Sequence, residues 1–247
     1  ATVAIIEGTV CVGLEKEELD FISRSKNIKK VSTRELGLAV SFGWSGATTV
    51  SSTMHIAKRA NIKVFATGGI GGVHRGVDQS FDISQDLAAL SRLSMVVVSA
   101  GAKSVLDLPK TVELLETLGV CMVGFKTSEF PSFYSRSSGI RKVTKVNSVE
   151  QISKVFLNNH FLEISGATLV LNPTPAENEI PLEVMDPIIH SAMDELNKRG
   201  IEGKMVTPFL LSYLHEKTKG KSLSVNISLA LNNVRLGAKI AKNLNML

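Results

Sequence analysis

The sequence has few aromatic residues, two cysteines and no long apolar run, and each shortage excludes a class of protein. Aromatic residues make up 5% of the chain and are not interleaved with basic ones, so a nucleic-acid interface is not indicated. No apolar run reaches about 18 residues, which excludes a membrane-spanning helix. Cys11 and Cys121 lie inside apolar runs, a pattern typical of reduced cysteines that predicts a cytoplasmic location.

Charge of either sign is also moderate. The chain carries 28 Lys and Arg against 23 Asp and Glu, a net charge of +5 without a basic block, which is compatible with a small anionic ligand. Hydrophobic residues make up 44% of the 247 residues, enough for a sizeable core. Because no linker or low-complexity segment interrupts the chain, we expect a single domain over residues 1–247.

Apolar runs alternate with amphipathic stretches along most of the chain. Residues 1–12 predict a hairpin that turns at Glu7 and Gly8. Buried strands are predicted at 64–66, 95–99, 120–125 and 168–172, and helices at 15–25, 108–118, 149–162, 182–199, 207–217 and 222–243. This alternation predicts an α/β fold, a layered α/β/α domain with a mixed, largely parallel central sheet.

The stretch 65–103 joins two of these predicted strands and holds the densest group of candidate site residues. Glycines at positions 68, 69, 71 and 72 precede His74 and Arg75, and we expect their backbone to adopt positive φ and to present N–H groups to an anion. The second strand leads to Lys103, after Gly101 and Ala102. In parallel sheets ligands bind at the carboxyl ends of strands, so both clusters fall where a site is expected.

Lys103 suits imine chemistry, because burial at the end of a strand lowers the pKa of an amine and frees it as a nucleophile. A salt-bridged structural lysine is the alternative. Asp82 and Asp86 are four residues apart, so on one helical turn they would share a face and could hold a hard cation or relay protons. Ordinary helix capping is the alternative for this pair.

Three further segments allow a functional and a structural interpretation. Lys29, Lys30 and Arg34 cluster ahead of a weak helix, where they form either part of a site or a solvated face. Residues 46–49 resemble a helix N-terminus, which favours a phosphate but is also common as plain capping. The aromatic loop 127–139 is either a lid over a pocket or an inert surface loop.

Several long motifs closely resemble those of the pseudouridine-5′-phosphate glycosidases, a family that includes the indigoidine-synthase-A-like proteins. The resemblance covers essentially the whole chain, and the motifs stand in the family's order. They are ATVAII, KVSTREL, GATTVSSTM, VFATGGIGGVHRG, FDISQDL, SAGAKSVLDLPKTVELLETLGV, EFPSFYSR, NPTP, TPFLL and SLSVNISLALNN.

The resemblance implies reversible cleavage of the C–C glycosidic bond of pseudouridine 5′-phosphate to uracil and ribose 5-phosphate. It implies that Lys103 attacks the anomeric carbon and forms an imine with the opened ribose, with Asp86 as its partner. It assigns a divalent metal, Mn²⁺ held through waters, to Asp82. It further implies a homotrimer and assigns substrate contacts to Lys30, Val50 through its backbone, Thr67, His74, Ser84, Gln85, Asp86 and Asn226.

One family feature is missing from these residues. In the family, a segment upstream of ATVAII carries the glutamate that donates a proton to the departing base, and Glu7 does not take its place because it falls in a hairpin turn. We therefore keep two alternatives beside the glycosidase. One is a C-glycoside synthase that joins ribose 5-phosphate to another aromatic acceptor, and the other is a catalytically impaired phosphosugar-binding subunit.

Overall fold

The structure is a computed structural model that describes residues 1–201 and 205–246. Its strands, in chain order, are β1 (Val3–Ile6), β2 (Thr9–Val12), β3 (Lys29–Val31), β4 (Gly46–Thr48), β5 (Val64–Ala66), β6 (Val96–Ser99), β7 (Cys121–Phe125), β8 (Thr144–Val146) and β9 (Thr168–Leu171). Its helices are α1 (Lys16–Arg24), α2 (Leu36–Ser41), α3 (Val50–Arg59), α4 (Val77–Ser80), α5 (Gln85–Arg92), α6 (Leu108–Thr117), α7 (Val149–Phe161), α8 (Leu182–Lys198), α9 (Val206–Lys217) and α10 (Lys221–Leu244).

Five strands form a parallel sheet in the order β5-β6-β9-β7-β8. Every residue of β6 and β9 is buried, which explains why both read as continuous apolar runs. Val96 and Val98 pack on one face with residues of α7 and α10, whereas Val97 belongs to the larger cluster on the other face, with residues of α3, α5, α6, α8 and α9. The predicted layered α/β fold is confirmed.

The remaining four strands form a separate mixed sheet in the order β2-β1-β4-β3, where a single central sheet was expected. The predicted hairpin is present, and Glu7 and Gly8 at its turn both have positive φ, as a tight hairpin turn requires. The strands β3 and β4 were not predicted. Each has three residues, KKV and GAT, and too few apolar side chains to mark a strand in the sequence.

The helices predicted from residue 108 onward are confirmed, and their observed ends differ from the predicted ones by at most one residue. The start of α6 illustrates the local cause: the Asp107 side chain accepts a hydrogen bond from the Lys110 N–H at 3.1 Å, and Pro109 lies in the first turn. Cys11 and Cys121 are unpaired and partly exposed. Among the described residues, no helix has the length and apolar character needed to cross a bilayer.

The aromatic loop 127–139 fits neither the lid nor the inert surface loop that the sequence allowed, because its aromatic rings are buried. Phe130 is 0% exposed, and Phe133 and Tyr134 are also buried. The Phe133 N–H donates to the Ala100 carbonyl at 3.1 Å, which ties the loop beneath the segment that follows β6. The aromatic rings pack in the core because burial of their large apolar area is more favourable than exposure on a surface loop.

Candidate active site

A cavity of about 1400 Å³ lies beyond the carboxyl ends of β5 and β6 and reaches the small mixed sheet. This is the edge at which ligands bind in parallel α/β sheets. The structure brings to this cavity every site residue named from the sequence: Lys30, Val50, Thr67, His74, Asp82, Ser84, Gln85, Asp86, Lys103 and Asn226.

Hydrogen bonds continue the pairing of β5 and β6 past the ends of both strands. The Ala100 N–H donates to the Gly68 carbonyl at 2.9 Å, and the Ile70 N–H donates to the Gly101 carbonyl at 3.0 Å. The Lys103 N–H in turn donates to the Ile70 carbonyl at 3.1 Å. The glycine-rich loop, residues 67–72, and the lysine loop, residues 100–103, therefore run side by side. The hydrogen bond from Lys103 to Ile70 fixes the backbone of Lys103.

The four glycines at positions 68, 69, 71 and 72 do not have the positive φ that the sequence predicted. Glycine is needed at these positions because neighbouring side chains lie too close to leave room for a Cβ. A Cβ on Gly71 would lie 2.2 Å from Ser84 Oγ, and one on Gly69 would lie 2.5 Å from the Phe133 ring. The Gly71 N–H already donates to Asp86 Oδ2 at 2.7 Å, so it is not directed at a ligand. The prediction of a cradle made by positive-φ glycines is wrong.

The Lys103 amine is the group best suited to act as a nucleophile. Burial lowers the pKa of Lys103, the Asp86 carboxylate opposes that change, and the positive charge of Lys30 lowers the pKa further. A lowered pKa increases the neutral fraction of the amine near pH 7, and the neutral form is the one that attacks a carbonyl carbon. The alternative of a salt-bridged structural lysine does not fit, because Lys103 makes no ion pair within the described residues.

Asp86 connects three parts of the site. The residue is 5% exposed, and its carboxylate accepts hydrogen bonds from the Ser51 N–H at 2.9 Å and the Gly71 N–H at 2.7 Å. Its own N–H donates to Ser84 Oγ at 3.3 Å, so that Ser84 caps α5. Because α5 begins at Gln85, Asp82 lies outside the helix, and the prediction that both aspartates share one helical face is wrong.

His74, just after the glycine-rich loop, lies beside Asp82. His74 Nδ1 lies 3.7 Å from Asp82 Oδ2, and the His74 N–H donates to the Asp82 carbonyl at 3.0 Å. Burial lowers the pKa of His74, Asp82 raises it, and the charges of Lys30 and Lys103 lower it further. The described residues contain no group of three His, Cys, Asp or Glu side chains that could hold a metal, so a cation at Asp82 would depend on water or substrate oxygens.

The small sheet supplies Lys30 and Val50. Lys30 lies on β3 beside the cavity, and its charge affects both His74 and Lys103, so it is part of the site and not only of a solvated face. Its neighbour Lys29 lies 3.5 Å from the centroid of the Trp44 ring. The helix N-terminus predicted at residues 46–49 is confirmed at its last residue, because Thr49 is the N-cap of α3, whereas 46–48 form β4.

Several cavity residues were not named as site residues from the sequence. Glu35 is 5% exposed, and its Oε1 accepts from Arg34 Nε at 3.0 Å. The sequence contains one signal for Glu35, because it is an acidic residue that directly precedes a weakly apolar helix. The Nε atom of Arg75 is buried without a hydrogen-bond partner.

An apolar wall on one side of the cavity comes from α8, α9 and the segment before α9. It comprises Met193, Leu196, Ile201, Val206, Leu210 and Leu211.

The fold and the cavity define a layered α/β protein with an amine of lowered pKa at the carboxyl edge of a parallel sheet. Residues 1–243 match the family described as "Indigoidine synthase A like protein". The chain belongs to this family.

Relatives and solved structures agree with that assignment. The chain is 48% identical to the pseudouridine-5′-phosphate glycosidase of Petrotoga mobilis over 247 residues, which are 100% of this chain and 81% of that protein. It is 47% identical to the Staphylococcus aureus protein of the same name, with 100% and 80% covered.

Two solved structures share the fold. The indigoidine synthase A-like protein of Thermotoga maritima superposes with a TM-score of 0.91 at 42% identity, with 98% of this chain and 80% of that chain covered. The prealnumycin C-glycosynthase AlnA, solved in complex with ribulose 5-phosphate, has a TM-score of 0.92 at 33% identity, again with 98% and 80% covered.

Proposed function

We propose that the protein cleaves pseudouridine 5′-phosphate reversibly into uracil and ribose 5-phosphate through an imine between Lys103 and the opened ribose. One observation carries the proposal: the amine of Lys103 has a lowered pKa and lies in the same cavity as Asp86, His74 and Lys30. The names of the relatives in Petrotoga mobilis and Staphylococcus aureus support this substrate.

The reaction requires more than the two carboxylates of ordinary glycosidases, because carbon is a poor leaving group. A nitrogen on the anomeric carbon can donate its lone pair as the C–C bond breaks. The neutral Lys103 amine attacks the anomeric carbon and displaces the ring oxygen, which takes up a proton. This displacement leaves a secondary amine on the anomeric carbon, which is still bonded to the base. The base gains a proton at carbon, the C–C bond breaks with its electron pair returning to the base, and the lone pair of the Lys103 nitrogen forms the C=N bond of the imine as uracil leaves. Water then hydrolyses the imine and releases ribose 5-phosphate and the free amine.

Asp86 and the cations have separate roles in this scheme. The Asp86 carboxylate is held by two backbone N–H groups, so it can take a hydrogen bond from the ribose or from Lys103 without moving. Lys30 contributes a cation that can bind the 5′-phosphate, and His74 can donate a hydrogen bond to it. Thr67, Ser84, Gln85 and Asn226 line the same cavity and are proposed to contact the sugar or phosphate.

A divalent cation is proposed at Asp82, with Mn²⁺ as the expected ion and water supplying most of its ligands. The side chain of Asp82 is 45% exposed, which leaves room for such a hydrated ion. A bound cation there would supply positive charge beside the substrate. Electron paramagnetic resonance of Mn²⁺ titrated into the protein should show a bound signal that is lost in Asp82→Asn, and an equal signal in both proteins would contradict the site.

The decisive experiment is a paired assay of the wild-type protein with Mn²⁺ and pseudouridine 5′-phosphate. Uracil release should be observed, and borohydride added with ribose 5-phosphate should leave a stable adduct on Lys103 that mass spectrometry of peptides can locate. An adduct on another lysine, or no adduct with continued turnover, would contradict the imine. Ribose 5-phosphate binding without turnover would instead favour the phosphosugar-binding alternative.

A C-glycoside synthase is the second candidate, and the likeness to AlnA favours it. The apolar wall from Met193 to Leu211 lies in the same cavity and could accept a planar aromatic acceptor. The two functions are separated by offering ribose 5-phosphate with uracil or with a larger aromatic acceptor. Preferred coupling to the larger acceptor would replace the glycosidase proposal.

A homotrimer is also proposed, from the resemblance to the family. Light scattering coupled to size-exclusion chromatography measures the mass directly, and the 26.6 kDa chain should elute with three times its mass. A monomer mass at micromolar concentration would contradict the trimer.

A further inference from the structure

Two buried asparagines connect helix α10 with the ends of two sheet strands. Asn233 is 0% exposed, and its Nδ2 donates to the Thr67 carbonyl at 2.8 Å and to the Gly68 carbonyl at 3.3 Å. Its Oδ1 accepts from Nδ2 of the buried Asn172, which follows β9, at 2.9 Å. The side chain of Asn233 therefore uses both of its donor hydrogens and its acceptor.

This amide lies in an otherwise apolar stripe of α10. Leu229 and Leu236, one turn before and one turn after it, are buried in the core, and Gly237 lets the helix come so close to β5 that a Cβ there would lie 3.3 Å from Ala66. Asparagine has a lower helix propensity than leucine, and a buried amide is unfavourable unless it is hydrogen-bonded. Its place in this stripe is explained by the carbonyl groups it binds.

Those carbonyl groups belong to the first two residues of the glycine-rich loop. Thr67 and Gly68 both line the cavity, and the Gly68 carbonyl also accepts the N–H of Ala100 in the lysine loop. The same helix brings Asn226 to the cavity, about two turns before Asn233 on the same face. Asn226 Oδ1 lies 3.2 Å from where a Cβ on Gly68 would be.

We propose that Asn233 is a positioning residue for the sugar-phosphate side of the cavity. It fixes the Thr67 and Gly68 carbonyls against α10, so that the Thr67 side chain and Asn226 are held at a set separation before substrate arrives. Pre-organised contacts of this kind increase affinity because less freedom is lost on binding. The identity of the ligand rests on the proposed function, whereas the connection between α10 and the loop does not.

The test replaces Asn233 with leucine, which keeps the branched shape of the side chain, has somewhat larger terminal groups, and removes all three hydrogen bonds. The matched control is Asn232→Leu, because Asn232 is adjacent on α10 and makes a single longer bond, at 3.3 Å, to the Pro173 carbonyl. Hydrogen exchange of the ligand-free proteins should be faster across residues 67–71 in Asn233→Leu than in the control. The dissociation constant for ribose 5-phosphate should rise about 10-fold or more in Asn233→Leu alone.

A merely structural role would not produce this pattern. Asp86 and Lys30, the charged groups that act on Lys103, are left in place, so the pH at which borohydride trapping is half-maximal should stay unchanged in Asn233→Leu while more ribose 5-phosphate is needed. Unchanged exchange across 67–71, or faster exchange with wild-type affinity, would overturn the inference. If Asn233→Leu does not fold, Asn172→Leu removes only the 2.9 Å bond and should give a smaller change in the same direction.

The proposed function and the role of Asn233 are tested by different measurements. Wild-type protein that neither binds ribose 5-phosphate nor releases uracil would reject the proposed function, while the exchange measurement would still decide whether Asn233 holds the loop.

Discussion

The two sheets contribute different things to one cavity. In the five-stranded sheet, Lys103 follows β6, in which every residue is buried, and Thr67 follows the half-buried edge strand β5. The small sheet carries Lys30 on a strand whose burial pattern is exposed, exposed, buried, and its core cluster contains three buried residues. The proposed nucleophile thus adjoins the large core, and a cation that lowers its pKa further comes from the sheet with the small core.

This division suits the chemistry. A nucleophile must be held within a fraction of an ångström of the carbon it attacks, and its pKa is lowered only where water is largely excluded. A cation that binds a phosphate acts over a longer distance and needs only the correct sign and approximate position. We therefore expect changes in the large sheet to affect chemistry and changes in the small sheet to affect affinity.

The largest expected effect follows from Lys103→Met. The rate of uracil release should fall by about 10³-fold or more, because the covalent step is lost. The folded protein should become more stable near neutral pH. The control is Lys145→Met on the exposed strand β8, outside the cavity, which should keep wild-type rates.

The pH dependence of stability follows from the same residue. Because the pKa of Lys103 is lower in the folded protein than in the unfolded chain, the unfolded chain binds more protons between the two pKa values. Stability should therefore increase with pH through that window in the wild type, and this increase should be smaller in Lys103→Met. Denaturant unfolding at several pH values measures it, and parallel curves for the two proteins would contradict a lowered pKa.

The division between the sheets also explains what the sequence could and could not predict. The apolar runs of β6 and β9 marked the large sheet, and buried residues recur every three or four positions along α6, α8 and α10, which cover it. The strands β3 and β4 were not predicted, because KKV and GAT are extended through their pairing with each other and not because of a side-chain pattern. The site residues came from recognisable motifs, whereas the close approach of Gly71 to Ser84 depends on how separate segments pack.

A second comparison measures how firmly each sheet is packed. Leu169 lies on the central strand β9 and Ile5 on β1, and both are fully buried. Leu169→Ala should reduce the free energy of unfolding by about 2–5 kcal/mol, and Ile5→Ala should fall at the low end of that range because its cluster is small and close to the surface. Urea denaturation gives both values, and an equal or larger loss for Ile5→Ala would show that the small sheet is not the weaker one.

Lys30→Met tests the electrostatic link between the sheets. KM for pseudouridine 5′-phosphate should rise roughly 10-fold to 100-fold, because a charge-assisted contact to phosphate is lost. Because Lys30 lowers the pKa of Lys103, its removal should also move the rising limb of the activity profile to higher pH. Steady-state rates across pH test both effects, and an unchanged profile would mean that the two lysines do not interact.

The smallest effect on KM is expected from substitution of Lys29, the residue next to Lys30. Lys29 precedes Lys30 on β3 and also borders the cavity, but its Nζ lies 3.5 Å from the centroid of the Trp44 ring. Lys29→Met should reduce stability by about 0.5–1 kcal/mol through loss of this cation–π contact, with a change in KM well below that of Lys30→Met. The same charge is removed in both variants, so the pair separates a local effect from a general loss of positive charge. Equal changes in KM would mean that the cavity responds to net charge alone, and the role given to Lys30 would then be wrong.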